Sequence, residues 1–333
     1  MATVVVTGVG GAGGIGAVRS LRAETSHEII GVDMNPSAAG LQLADRGCVV
    51  PPANDPSWAE EVGRTVRRFD ADAVVPLVDE ELRRVSDLSD ALPGEVAVVA
   101  PRREVIDVAL DKFRASRYLD DRGHTVPETW LATGADSIDR TRYPLQVKPR
   151  AGRGSRGVER VDSPAELAAY LDATEHARDR LVLQEHVSGT EYTTSVVAAR
   201  DGRVLGIVPK EAVEKDGSTV HGVTRRNEAV AESCRRLCDT LEPAGPINVQ
   251  QIVDGTGTPY TIEINPRFSS TACLTVRAGV NELDLLVRDA MGETVAEPDG
   301  YEAGVSMYRY PDHVFVSDAE RDRVDRSELA VER

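Results

Sequence analysis

With 333 residues and a formal charge of −16, the chain exceeds the roughly 250–300 residues at which a single hydrophobic core stops growing, so two or three packed lobes are expected. So acidic a surface repels nucleic acid and anionic membrane at long range, which excludes both as partners and requires any bound anion to be held by local cations. Lysine occurs only at Lys112, Lys148, Lys210 and Lys215 among many arginines and acids, a balance resembling that of proteins adapted to high internal salt, and each lysine position is therefore informative.

In chain order, short β-rich runs at 2–7, 28–32, 48–50, 73–77 and 96–99 alternate with helical patterns. That alternation predicts a parallel, Rossmann-like sheet with crossover helices over residues 1–100. Pro101 opens a helical stretch and 111–122 reads as a second helix ending at Gly123, so 101–124 is a connector. From Thr125 the pattern changes to strands at 145–148, 181–185, 192–199 and 204–209 separated by glycine-rich turns, which predicts an antiparallel meander with few helices. A helix over 225–241, a hairpin of strands 247–253 and 260–264, and a helix over 283–291 follow. Residues 317–333 are strongly charged without an apolar period and read as a surface helix or a frayed tail. The fold class is thus α/β followed by α+β.

Cys48, Cys234, Cys238 and Cys273 stand in apolar or helical contexts without metal-ligand spacing and read as reduced thiols. No basic stretch with a small-residue cleavage site precedes the first strand, and no apolar run reaches the length of a membrane span. The expected location is the cytoplasm.

The first strand runs into Thr7-Gly8-Val9-Gly10-Gly11-Ala12-Gly13-Gly14-Ile15-Gly16, and Asp33 closes the second. Glycines that admit an anion to backbone amides, followed by an acid placed for a ribose, are the parts of a dinucleotide site, so an NAD-dependent oxidoreductase is the alternative reading. Against it, no Tyr-x-x-x-Lys follows, the predicted sheet stops after five strands, and a different nucleotide site lies downstream. The favoured reading is that Gly10 and Gly11, at a helix N-terminus, bind an anionic group of the substrate.

That downstream site begins at Lys148, at the end of a strand beside the loop Arg150-Ala151-Gly152-Arg153-Gly154-Ser155-Arg156-Gly157. A point charge next to a flexible glycine loop suits a triphosphate, although a plain hairpin explains the same residues. Gln184-Glu185-His186-Val187 and Glu191 flank a turn. In a cleft, the backbone near Glu185 and Val187 would read an adenine edge and Glu191 would accept ribose hydroxyls; on this segment alone two solvated acids are the simpler account. The most informative segment is Asn248-Val249-Gln250 with Glu263-Ile264-Asn265-Pro266-Arg267. Glu263 and Asn265, two apart on a strand, share a face, and Gln250 opposes them across the hairpin. These oxygen ligands suit magnesium, with manganese an acceptable substitute, and Arg267 reaches a transferring phosphoryl group.

In this order the motifs resemble the ATP-grasp superfamily, in its carbamoyl-phosphate synthase large-subunit-like branch, which includes stand-alone ligases such as the pyrrolysine-biosynthesis ligase. The resemblance spans roughly residues 3–310 and includes Asp111-Lys112. It implies a pre-ATP-grasp domain over 1–100, a small lobe over 125–190 and a large lobe over 191–316, with ATP between the lobes. It further implies that Lys112 and Lys148 contact phosphates and adenine, that Gly152, Gly154, Ser155 and Gly157 cover them, that Glu185 and Val187 line adenine and that Glu191 holds ribose. Gln250, Glu263 and Asn265 would coordinate magnesium, and Arg267 would face the γ-phosphate. The implied activity is carboxylate activation as an acyl phosphate for attack by an amine or other nucleophile, with Arg267, Lys148, Lys210 and His221 as catalytic candidates; a non-catalytic ATP-binding regulator is a further alternative. One ATP-grasp half without a glutaminase Cys-His pair argues against carbamoyl phosphate synthesis. Gly10, Gly11, Arg267 and Ser269 are candidate substrate contacts. Glu80, after the fourth strand, would hold an ammonium group if it points inward, but the acids Asp79, Glu80 and Glu81 equally suit a helix N-terminus, which is preferred. A homodimer is compatible with such a chain.

Overall fold

The computed structural model describes residues 1–152, 154 and 156–325. Its first sheet is built from β1 (Thr3–Thr7), β2 (Glu28–Asp33), β3 (Arg46–Val49), β4 (Ala73–Val75) and β5 (Ala97–Val98). All pair in parallel in the order β3-β2-β1-β4-β5. Val4, Val5, Val6, Ile29, Ile30 and Val74 are fully buried, as required when helices cover both faces of a parallel sheet. The five expected strands are joined by a sixth. After a short helix at Asp318–Arg321, capped by Ser317, Val324–Asp325 pairs in parallel with β3. The charged tail is therefore not merely frayed: Val324, its one apolar residue in that stretch to be buried, packs over Gly47. The rest of the tail, 326–333, lies outside the described residues.

The turn after β1 is set by its glycines. Gly8 has φ +64°, and a Cβ on Gly14 would stand 2.3 Å from the Gly8 carbonyl oxygen, so the helix Ala12–Glu24 approaches the strand end more closely than any side chain would allow. Helices Arg103–Ala109 and Lys112–Asp120 form the connector, the latter capped by the Asp111 side chain, which accepts from the Arg114 amide.

The antiparallel strands expected from Thr125 onward form two sheets, one on each side of residues 186–188, and the helix Pro164–Ala173 is inserted within the smaller one, between its third and fourth strands. The smaller comprises β6 (Thr129–Leu131), β7 (Leu145–Pro149), β8 (Glu159–Val161) and β9 (Leu181–Glu185), ordered β6-β9-β7-β8. Leu145, Val147, Leu181 and Leu183 enter one core with Leu167 of that helix. The two-residue strand period then directs Gln146, Lys148 and Gln184 to the opposite face. The larger sheet comprises β10 (Gly189–Ala198), β11 (Val204–Asp216), β12 (Ser218–Thr224), β13 (Pro246–Asp254), β14 (Pro259–Asn265) and β15 (Ser306–Tyr308). Its order is β14-β13-β10-β11-β12-β15. The helix Glu228–Leu241 covers it, placing Cys234 and Cys238, one turn apart, in the core against Val196, Ile247 and Val249. All four cysteines are free thiols. No helix among the described residues is long and apolar enough to cross a membrane.

Candidate functional site

The three sheets converge on a cleft of about 900 Å³. The first contributes the turn Gly8 and Gly11 to Gly14; the smaller antiparallel sheet contributes Lys148 and Gln184; the larger contributes Glu191, Gln250, Glu263 and Asn265. Three of the four lysines, Lys112, Lys148 and Lys215, line this one space.

The three lysines and Arg267 are already held. Lys148, buried on β7, donates to Gln184 Oε1 at 2.6 Å. Burial pushes its pKa down to about 8, outweighing the attraction of Glu263. Lys112, the first residue of its helix, donates to the Gly152 carbonyl oxygen at 2.8 Å and lies 3.2 Å from Glu263 Oε1, tying the glycine loop to β14. Lys215 donates to Glu191 Oε1 at 2.6 Å. Arg267 donates from Nε to Asp79 Oδ1 at 2.6 Å and from Nη2 to Asn265 Oδ1 at 3.1 Å.

The hairpin pairs Gln250 with Glu263 and Asn248 with Asn265, and Asn265 Nδ2 donates to Gln250 Oε1 at 3.4 Å. One carboxylate and two amide oxygens are thereby gathered, a donor set that fits a hard dication completing its shell with phosphate oxygens and water. No group of three or more His, Cys, Asp or Glu able to hold a metal alone occurs among the described residues.

Glu185 and Val187 also line the cleft. The Glu185 and His186 amides donate to the Glu128 and Pro144 carbonyl oxygens, leaving Val187 as the residue of that segment whose amide has no partner among the described residues. Gly152, Gly154, Arg267 and Ser269 belong to the wall, with the Ser269 hydroxyl bonded to that of Thr271 at 2.8 Å.

Other expected residues are placed elsewhere. Lys210 does not face the cleft: it is fully buried beneath the large sheet, donating to Ser195 Oγ at 2.6 Å and Thr275 Oγ1 at 2.8 Å, with Glu282 bonded to the same serine. His221 lies on β12 beside the edge strand, its ring stacked on Tyr308 with centroids 4.3 Å apart. Gly157 packs against Pro149 and is not in the wall, and Ser155 lies outside the described residues. Glu80 is exposed in the first turn of the helix Asp79–Leu82, as the helix-start reading expects, and lines a smaller cavity of about 190 Å³ that shares Lys112, Gly152, Glu263 and Asn265 with the cleft. Gly10 is turned to Asp33, whose Oδ2 accepts from the Gly10 amide at 2.6 Å while Oδ1 accepts from Asn35 at 2.9 Å. The acid that a dinucleotide ribose would need therefore closes its own turn.

Two residues bonded to cleft side chains, Lys215 within the cleft and Asp79 behind Arg267, are not singled out by the sequence. Lys215 was marked only by the scarcity of lysine. Asp79 was passed over for its neighbour Glu80, since nothing local distinguishes which acid of the triplet turns inward.

Residues 177–310 match a family model described as ATP-grasp in the biosynthetic pathway with Ter operon, and residues 5–98 match the PylC-like N-terminal domain. The carbamoyl phosphate synthase large chain of Xylella fastidiosa is 30% identical over 226 residues, 61% of this chain and 21% of that protein. Its counterpart in Halobacterium salinarum is 26% identical over 278 residues, 76% of this chain and 26% of that one. The chain thus spans about a quarter or less of the length of these relatives. Among solved structures, a biotin carboxylase–β-γ-ATP complex from Campylobacter jejuni superposes with a TM-score of 0.71 at 15% identity, covering 91% of this chain and 74% of that one. An Aspergillus clavatus carboxyaminoimidazole ribonucleotide synthase complexed with ATP gives 0.71 at 18% identity, covering 90% and 80%.

Proposed function

We infer that this chain, which belongs to the ATP-grasp superfamily, is an ATP- and magnesium-dependent ligase that activates a carboxylate as an acyl phosphate for attack by an amine or other nucleophile. The observation that carries this reading is the convergence on one cleft of Lys112, Lys148, Glu191, Gln250, Glu263 and Asn265, drawn from segments far apart in sequence. We assign the nucleotide to the space between the lobes 125–190 and 191–316, with 1–100 and the connector 101–124 closing one side.

In this reading Glu185 and Val187 line the adenine, and Glu191 accepts the ribose hydroxyls once Lys215 yields it. Gln250, Glu263 and Asn265 would hold magnesium, which draws charge from the phosphate oxygens; manganese is the substitute we would use to detect it. Lys148 and Arg267 stabilise charge that develops on the transferring phosphoryl, as fixed groups in a water-poor site do most effectively. Lys112, bonded to the Gly152 carbonyl, holds the glycine loop where it shields the acyl phosphate from water. Gly11 and Ser269, both in the wall of the cleft, receive the carboxylate substrate. We place the protein in the cytoplasm. A homodimer is the assembly to test, since one structural neighbour is a biotin carboxylase domain dimer.

Thermal-shift measurements decide the nucleotide. Mg-ATP is expected to raise the melting temperature and NADH to leave it unchanged; stabilisation by NADH with none by Mg-ATP would overturn this function.

A further inference from the structure

Arg267 follows β14 in the large sheet, yet its shortest hydrogen bond goes to a residue 188 positions earlier, in the segment that follows β4 of the first sheet. Asp79 Oδ1 accepts from its Nε at 2.6 Å, and both side chains are largely buried, 13% and 15% exposed. Nη2 donates to Asn265 Oδ1 at 3.1 Å and Nη1 to the Phe268 carbonyl oxygen at 3.3 Å. A guanidinium carries five N–H groups, so these three bonds fix its plane and leave one hydrogen on each terminal nitrogen for an anion.

Asp79 is itself anchored. It opens the helix Asp79–Leu82. In that helix the Glu81 carboxylate accepts from the Val78 amide at 3.3 Å and from the Thr7 hydroxyl at the end of β1, and Thr7 in turn accepts from the Leu77 amide at 3.3 Å. The carboxylate that grips Arg267 is thus built into the strand ends that carry the Gly8 turn.

We propose that Asp79 is a positioning residue that reaches across from the first sheet to hold the Arg267 guanidinium side-on, so that its terminal N–H groups are aimed at the transferring phosphoryl group. This rests on the assignment of Arg267 to that group. The physical reason is preorganisation: an arginine side chain has many rotamers to lose, and a fixed carboxylate on Nε removes that loss from the reaction step without covering the end that meets the ligand. Without Asp79 the guanidinium stays charged but loses its shortest anchor and is held only by the longer bonds to Asn265 and Phe268.

The test needs no carboxylate substrate. The affinity of Mg-ADP is measured by calorimetry with and without aluminium fluoride, which mimics the transferring phosphoryl, for the parent, Asp79→Ala, Asp79→Asn, Arg267→Ala and the double variant Asp79→Ala/Arg267→Ala. Aluminium fluoride should tighten Mg-ADP on the parent, and Arg267→Ala should lose that gain. Asp79→Ala should lose about tenfold of it and Asp79→Asn, which keeps an acceptor, about threefold, with Mg-ADP alone unchanged. The double variant should be no worse than Arg267→Ala. A merely structural role would weaken Mg-ADP with and without fluoride alike. Full retention of the gain in Asp79→Ala, or a further loss in the double variant, overturns the proposal; if Asp79→Ala does not fold, full retention in Asp79→Asn does so. A parent that binds Mg-ADP but gains nothing from aluminium fluoride, or an Arg267→Ala that keeps the gain, removes the role of Arg267 and the proposal with it, while a parent that binds no Mg-ADP removes the nucleotide site itself.

Discussion

Lys148→Met separates what the site needs from what the fold prefers. The ammonium group is buried, and its pKa falls from the ordinary 10.5 to about 8 because burial disfavours its charge. At about 1.4 kcal/mol per pH unit, keeping it charged at neutral pH costs the folded state roughly 3 kcal/mol. Methionine has a similar shape and no charge, but it abandons Gln184 Oε1, and a buried acceptor left alone costs about 1–3 kcal/mol. Urea melts at pH 7 should therefore show Lys148→Met more stable than the parent by about 1–2 kcal/mol. The sign of the pH dependence follows from linkage. The folded-state pKa is depressed, so between about pH 8 and 10.5 the unfolded chain binds more protons and the parent gains stability as pH rises. The advantage of methionine should be full below pH 8 and gone near pH 10. Mg-ATP affinity should move the other way: losing a charge-assisted contact of about 1.5–3 kcal/mol weakens binding about 10- to 150-fold, and the parent's own affinity should decline above pH 8 as Lys148 loses its proton. An unchanged affinity in the variant, or a variant less stable than the parent at pH 7, would refute the reasoning.

The remaining predictions concern the metal ligands and the buried lysine. Glu263→Gln should abolish phosphoryl transfer while adenosine binding is retained, because it removes the one carboxylate of the donor set, whereas Asn265→Ala should raise the metal concentration needed for half-maximal ATP binding, since water replaces a neutral ligand; manganese titrations followed by electron paramagnetic resonance check both. Lys210→Met should leave Mg-ATP affinity at the parent's value but cost about 3–5 kcal/mol in urea melts, because Glu282, only 1% exposed, loses its compensating charge; a large loss of ATP affinity without loss of stability would return Lys210 to the catalytic machinery.

How far the sequence could be read depends on the range of the interaction that fixes each feature. The parallel strands and the hairpin of β13 and β14 were legible because burial imposes a period of two or a continuous apolar run on the residues themselves. Glu263, Asn265 and Gln250 were legible for the same reason, since register across one hairpin is a local matter. The division of 125–316 into two lobes near residue 190 came from the order of the motifs and not from strand pattern, because antiparallel strands of either sheet show similar local patterns and only the partners differ. Lys210 and Lys215 illustrate the limit at residue level. They lie on one strand with register shifts between 212 and 215, so pattern alone does not say that the first enters the core beside Thr275 and Glu282 while the second meets Glu191 in the cleft. The overall charge gave a firmer constraint: an anion held by a chain of −16 needs local cations, and three of four lysines gather in one cleft. What charge counting cannot supply is the partner. Asp79, inside a triplet of acids, is distinguished from Glu80 only by the arginine that folding brings to it from 188 residues away.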